Sequence, residues 1–308
     1  MCNRIKIKIL AILIITLLIA TQFLAQSQSF LITKYSTDNG LPDNRVNDIA
    51  QDSLGRIWVA MASGIAMYDG YEWIKIGEKN GVPEIEYIKI KIDEKGVMWF
   101  LPKELFKHKF VYLKNSRWTL LEFSKKIIKQ PSHCNTFEIR YNLDKPEIFI
   151  SLINVGILKY YDGIWSTVKT NDGLICDTIS GFINLQGEIY VSTYGGISLI
   201  EQTGIIKNYD FKNYNVDSKI LSIALFDDSQ KNKNTLLLIG TDWIGEFNNG
   251  KLQKWNINFK FPFVAMNDPC NIKNHSSGTV IFGNSAAIYS INLKTDFLEK
   301  VVLEHRCV

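Results

Sequence analysis

The chain has 308 residues, 46% of them hydrophobic, with a formal net charge of +4. Three of its basic residues fall within the first eight positions, so the remainder carries about +1, a near-neutral balance that argues against a nucleic-acid partner. The length left after an amino-terminal leader suits one large β domain or two small ones.

The leader comes first along the chain. Arg4, Lys6 and Lys8 precede an apolar-to-small run from Ile9 to Ala20, and Ala25 stands third before a cut after Ser27. Residues 1–27 therefore read as a secretory signal peptide, and the product as periplasmic or secreted. The apolar run is shorter than the ~20 residues of a spanning helix, which makes an uncleaved membrane anchor the lesser reading. Residues 30–308 remain for the folded domain.

The stretch DNGLPDNRVNDIAQDSLGRIW, residues 38–58, holds Asp38, Asp43, Asp48 and Asp52. Carboxylates in a tight loop suit a hard cation, but no register supplies the alternate oxygen ligands, the central glycine and the terminal glutamate of an EF-hand loop. Asp, Asn, Gly and Pro are also turn residues, and a turn reading predicts that the pattern recurs.

It does recur. GRIWVAMASGIAMYDGYEW (55–73) aligns with GEIYVSTYGGISLI (187–200), matching Ile57, Trp58, Val59, Gly64 and Ile65 to Ile189, Tyr190, Val191, Gly196 and Ile197. Weaker copies lie at residues 95–110, 147–165, 235–255 and 278–293, which makes six. Anchored on Trp58, Trp99, Phe149, Tyr190, Leu238 and Ile281, the copies are 41 to 50 residues apart, a spacing expected of propeller blades. Each copy carries two runs of β-branched and aromatic residues around a small-residue turn, closed by Asp-Gly, Asn-Gly or Thr-Gly. A lead-in also repeats, at 37–49, 78–90 and 170–182, where a glycine and an apolar residue end one unit and an alternating strand begins the next. The prediction is all-β: a propeller of four-stranded antiparallel blades with six recognisable repeats, a seven-bladed or a truncated ring both remaining open. At the ends, FLITKYST (30–37) and DFLEKVVLE (296–304) both have the phase of an outermost strand.

At these residues the chain resembles the two-component regulator propeller repeat. Asn39-Gly40-Leu41-Pro42, Asn44, Val46, Ile49, Asp52, Gly55, Ile57-Trp58, Gly64 and Tyr68-Asp69-Gly70 match its pattern; the unit around Gly173, Gly187 and Gly196 matches less closely, and the other four are degenerate. The resemblance implies the ligand-sensing periplasmic region of a hybrid histidine kinase or a related signalling protein, with sugars or oligosaccharides as frequent signals. No kinase, receiver or DNA-binding pattern is present, so the expectation is a sensor-only protein, a truncated product or the first section of a split system, the last of these with a separate membrane signalling protein as partner.

In a propeller the links between blades and the turns between second and third strands share one rim, where recognition is expected. That rim is predicted to carry Asp43, Asn44, Arg45, Glu84, Glu86 and Asp177 from the links, and Ser63, Thr193, Tyr194, Asp242, Trp243, Asn284 and Ser285 from the turns. Tyr194 and Trp243 are the sharper candidates, since an aromatic face stacks on a sugar. Trp58, Trp99 and Tyr190 lie inside strand runs and are assigned to the core between blades.

The four histidines are dispersed without metal-ligand spacing, and no nucleophile elbow, phosphate loop or dinucleotide fingerprint appears. No cofactor and no metal site is expected. Cys134, Cys176, Cys270 and Cys307 form no C-x-x-C pair and read as core residues, one bridge among them remaining open. The reading is an exported ligand-sensing propeller taking a small molecule or oligosaccharide. A polysaccharide lyase or glycosidase-type propeller and a protein-interaction scaffold are the alternatives, and a homodimer is compatible.

Overall fold

The computed structural model describes residues 33–105, 109–123, 127, 133–214, 219–228, 233–255, 271–275, 279–283, 287–292 and 297–302. The expected signal peptide, Asn284, Ser285, Cys270 and Cys307 lie outside them.

Strand-forming runs broken by turn residues give six antiparallel sheets of four strands each, every sheet ordered as its strands follow in the chain. Blade 1 holds β1 (Val46–Gln51), β2 (Ile57–Met61), β3 (Gly64–Tyr68) and β4 (Trp73–Ile76); blade 2 holds β5 (Tyr87–Ile92), β6 (Met98–Pro102), β7 (Phe110–Lys114) and β8 (Arg117–Leu121). Blade 3 holds β9 (Cys134–Asn142), β10 (Lys145–Leu152), β11 (Gly156–Tyr161) and β12 (Ile164–Val168); blade 4 holds β13 (Ile179–Leu185), β14 (Glu188–Thr193), β15 (Gly196–Ile200) and β16 (Ile206–Tyr209). Blade 5 holds β17 (Ile220–Asp228), β18 (Lys233–Gly240), β19 (Ile244–Asn248) and β20 (Lys251–Lys254); blade 6 holds β21 (Asn271–His275), β22 (Thr279–Gly283), β23 (Ala287–Asn292) and β24 (Phe297–Val302).

The predicted propeller is therefore present, with six blades among the described residues. The last blade takes β24 from the DFLEKVVLE run, while Thr33–Ser36 of FLITKYST has no strand and leads into a 3₁₀ turn at Thr37–Asn39. Consecutive inner strands pack side by side from β1 through β5, β9, β13 and β17 to β21, and among the described residues no contact of comparable extent joins β21 back to β1.

The core lies between blades, because a four-stranded sheet has two apolar faces and each needs a neighbour. Trp58 packs on Phe100 and Trp118 of blade 2, each at 6.1 Å between ring centres. Trp99 faces the blade 3 cluster around Phe137 and Ile150, and Phe149 the blade 4 cluster around Phe182 and Val191. Tyr190 packs against Phe247 of blade 5, so the predicted core role of Trp58, Trp99 and Tyr190 is what the structure shows. Each such ring contributes roughly 1.5–3 kcal/mol by leaving water.

One register needs correction. Trp58, Trp99, Phe149 and Tyr190 stand opposite Ala50, Lys91, Glu138 and Ile183, but in blade 5 the matching place, opposite Ala224, is Leu237 and not Leu238. Leu238 points the other way, toward Ile197 and Phe211 of blade 4. A strand alternates faces with period two, so one residue of slip exchanges the neighbours.

Candidate functional site

The lead-ins take the same local shape three times. Thr37–Asn39, Glu78–Asn80 and Thr170–Asp172 are 3₁₀ turns, each ended by a left-handed glycine: Gly40, Gly81 and Gly173. The last side chain of each turn reaches back as an acceptor, Asn80 Oδ1 from the Gly77 N–H and Asp172 Oδ2 from the Lys169 N–H (2.9 Å). The apolar residue after each glycine, Leu41, Val82 or Leu174, is buried and docks the link on the blade.

This geometry uses up two rim candidates. Asn44 Oδ1 accepts the Thr37 N–H (2.9 Å), and Asp177 Oδ1 accepts the Thr170 N–H (2.7 Å) while Thr170 Oγ1 donates to its Oδ2 (3.1 Å). Both side chains hold the lead-in in place. Asp43 Oδ1 accepts the Arg45 N–H (2.8 Å), and that bond is the main cause of an Asp43 carboxyl below its ordinary value. Arg45 is exposed, and Glu84 pairs with Lys75 at the surface. Glu86 accepts from Lys103 (2.9 Å) and from Asn47, linking blades 1 and 2.

The turn candidates divide similarly. Thr193 is fully buried, its hydroxyl donating to the Gly196 carbonyl (2.9 Å) and accepting the Gly195 N–H (3.0 Å). Trp243 is also fully buried, at 0% exposure, edge-on to Phe211 at 6.1 Å. It is core between blades 4 and 5 and offers no stacking face. The reason is the turn Gly240–Trp243, in which the Gly240 N–H donates to the Trp243 carbonyl and the indole folds back over Gly240, where a Cβ would stand 2.0 Å from Nε1. Ser63 and Tyr194 are half-buried, Asp242 is exposed, and the Lys219 ammonium lies over the Tyr194 ring, 4.2 Å from its centre.

The rim candidates thus do not converge on one site. A different set does. In blades 1 to 5 the pairing of first and second strands shifts register near the start of the inner strand, a β-bulge that re-aims a residue. Just past these bulges the inner strands enclose an axial cavity of about 480 Å³. On one wall Lys89 Nζ lies 3.9 Å from Asp48 Oδ2, and Lys91 pairs with Glu138, joining blades 1 to 2 and 2 to 3. On the other are Asn135, Thr136, Ser180 and Ser222, with small Gly181 and Ala224 between them. None of the described rim candidates lines it.

Neighbouring blades also close the open edges of the inner strands. The Ile90 N–H donates to Asp48 Oδ2 (3.0 Å), Asn47 Nδ2 to the Tyr87 carbonyl (2.8 Å), and Asn184 Nδ2 to the Ile139 carbonyl (3.0 Å). The sequence signal for this region is a polar residue one or two places into each lead strand, which alternation alone assigns to solvent.

Among the described residues no group of three or more His, Cys, Asp or Glu side chains converges as a cation site, and no helix is long and apolar enough to cross a membrane. Cys134 and Cys176 are free thiols; Cys134 is buried, and its Sγ donates to the Pro102 carbonyl (3.1 Å).

The chain carries a two component regulator propeller repeat: that family model matches residues 40–63, from the left-handed Gly40 to the turn after β2. No curated relative matches the chain by sequence. Among solved structures, the extracellular domain of the putative hybrid two component system BT4673 from B. thetaiotaomicron is 16% identical with a TM-score of 0.64, over 91% of this chain and 35% of that one. The extracellular domain of the putative hybrid two component system BT3049 from the same organism gives 14% and 0.65, over 90% and 37%. Virginiamycin B lyase from Staphylococcus aureus gives 14% and 0.62, over 87% of this chain and 86% of that one. At such identities the likeness is one of fold, and the chain spans about a third of the length of the two extracellular domains.

Proposed function

We propose that this propeller, carrying a two component regulator propeller repeat, is an exported sensory input module that binds a small extracytoplasmic molecule or oligosaccharide and passes the event to a separate membrane signalling protein. The observation that carries the reading is the repeat at residues 40–63 within a propeller that shares its fold with extracellular domains of two-component systems. The axial cavity supports it, since about 480 Å³ falls within the roughly 300–1,000 Å³ of small-molecule sites. The leader at residues 1–27 supports export. A ligand that binds only the folded state raises stability, by about 2.7 kcal/mol at a hundred times its Kd. Thermal unfolding across a panel of small molecules and glycans is therefore expected to show at least one upward shift, with the ligand recovered intact after long incubation. No shift across a broad panel defeats the sensory reading; a shift accompanied by degradation products replaces it with a lyase or hydrolase.

A further inference from the structure

We infer that the axial cavity is the ligand seat and that its ligand is a small carboxylate with an apolar body, an aliphatic or aryl carboxylic acid in its anionic form. This rests on the sensory reading above and adds where the ligand sits and what chemistry it has.

The charge of the lining is the first argument. Its charged members are two lysines, Lys89 and Lys91, against one carboxylate, Asp48, so the wall is net positive. Asp48 Oδ2 already accepts the Ile90 N–H (3.0 Å) and lies 3.9 Å from Lys89 Nζ. Lys91 is held by Glu138, which stands outside the lining. An ammonium carries three N–H donors, so pairing with one carboxylate does not exhaust it. The side chains of Lys89 and Lys91 are 15% and 28% exposed, and in such partly dry surroundings an anion gains more from an ammonium than it does in open water. Thr136 and Ser222 add hydroxyls from blades 3 and 5, which can donate to the same head group.

The apolar part of the lining is the second. Ile49 of β1 and Ile92 of β5 line the cavity while 50% and 37% exposed. Ile183, Leu221 and Leu225 extend that surface across blades 4 and 5. Large apolar side chains left open inside a concave site favour a ligand that takes them out of water, in proportion to the area covered. A molecule with hydroxyls on every side leaves that gain unused, and a compact inorganic anion cannot reach it. With about 480 Å³, the seat has room for a head group at the lysines and a chain or single ring on the isoleucines. The lining comes from five inner strands, so only the assembled ring presents the two parts together.

The test is calorimetric titration of the full chain with octanoate and phenylacetate, with their uncharged primary amides, and with acetate. At least one of the two larger acids is expected to bind, its amide about tenfold weaker and acetate weaker still. Lys89→Gln is expected to weaken the acid about tenfold and leave the amide unchanged, whereas Ile49→Ser weakens both. Asp48→Asn keeps an acceptor for the Ile90 N–H and makes the wall more positive, so it is expected to tighten acid binding about threefold, a gain that no folding defect imitates. Amides that bind as tightly as the acids, or an Asp48→Asn variant that binds the acid no better, would overturn the charge class. Acids that keep full affinity in Lys89→Gln and Ile49→Ser but lose it in the rim variant Tyr194→Ala would overturn the axial seat. If neither acid binds while another molecule of the thermal panel raises Tm, the inference falls and the sensory reading stands; if nothing binds, both fall.

Discussion

Asp52 is an acceptor for most of the donors around the first turn. Its Oδ1 takes the N–H groups of Leu54 (2.9 Å) and Arg56 (3.0 Å), and its Oδ2 takes the Arg56 guanidinium (2.7 Å) and the Trp58 indole N–H (2.9 Å). Asp93 repeats the device in blade 2, accepting from Lys95, Val97, Trp99 and the hydroxyl of Tyr141. Burial works against the Asp52 charge, and the bonds from Trp58, Arg56 and Leu54 outweigh it, holding the carboxyl below its ordinary value. Its stabilisation is therefore present above the unfolded value of ~3.9 and is lost as pH falls through the lower folded value. Asp52→Asn is expected to cost about 1–2 kcal/mol at pH 7 and to flatten the dependence of stability on pH below ~4. Urea unfolding at pH 7 and pH 3 measures both, and an equal loss at the two pH values would refute the charged role. At this scale the sequence was legible wherever a residue's backbone task is local. Asp38 to Gly40 and Asp52 to Gly55 form turns, as their recurrence implies. Trp243 was misread because nothing local tells that a tryptophan in a turn folds back over the glycine three residues earlier.

The contact between blades 3 and 4 shows what a strand adds to its residues. Arg140 of β9 is 2% exposed and donates to Glu147 of β10 and to the carbonyls of Gly187, Ile200 and Glu201 in blade 4, each at 3.1 Å. Lys159 of β11 completes the cluster, 2.6 Å from Glu147, which is 3% exposed. A buried pair is worth little over an apolar replacement, but removing Arg140 leaves the buried Glu147 with Lys159 as its remaining cation and three carbonyls without their donor. Arg140→Met is therefore expected to destabilise by about 3 kcal/mol, and Arg140→Met with Glu147→Leu to recover part of that loss. Denaturant midpoints of the two variants decide it; a double variant no better than the single one would show that the carbonyl contacts, and not the half-paired carboxylate, carry the cost. The strands were legible as runs between turn signals, but a phase is hidden where alternation fails. Leu236, Leu237 and Leu238 are all buried, so the run carries no clue to which of them faces blade 4. The bulges were invisible for the same reason: an extra residue in a lead strand changes the direction of Asp48 or Ser222 without changing composition. The cavity they line therefore has no signature in composition, whereas the rim loops carry evident turn residues.

Across the whole molecule, blades interact with their sequence neighbours, and stability is close to a sum of blade and interface contributions. Repeat period and lead-in grammar made the six blades readable, whereas closure depends on contacts between the two ends of the array, which no local pattern encodes. Among the described residues β21 and β1 lack the packing that joins other inner strands, so the first and last described blades have one such inner-strand neighbour each. Amide hydrogen exchange is expected to be slowest in β10 and β14 and faster, through local opening, in β2 and β22. Equal protection in all six blades would mean that the ring closes as firmly between its ends as elsewhere.

The consecutive strand order within every sheet has a mechanical consequence. No described sheet is woven from both ends of the chain, so tension between the ends meets no pair of strands that must be sheared apart together. Each blade peels from its outer or inner strand like a zip, one backbone bond pair at a time. With 41 to 50 residues per repeat and ~3.5 Å gained per residue, each released blade lengthens the tether by about 150 Å. A propeller joined in this way yields to pulling at low force and in steps, returning blade by blade when the load is removed.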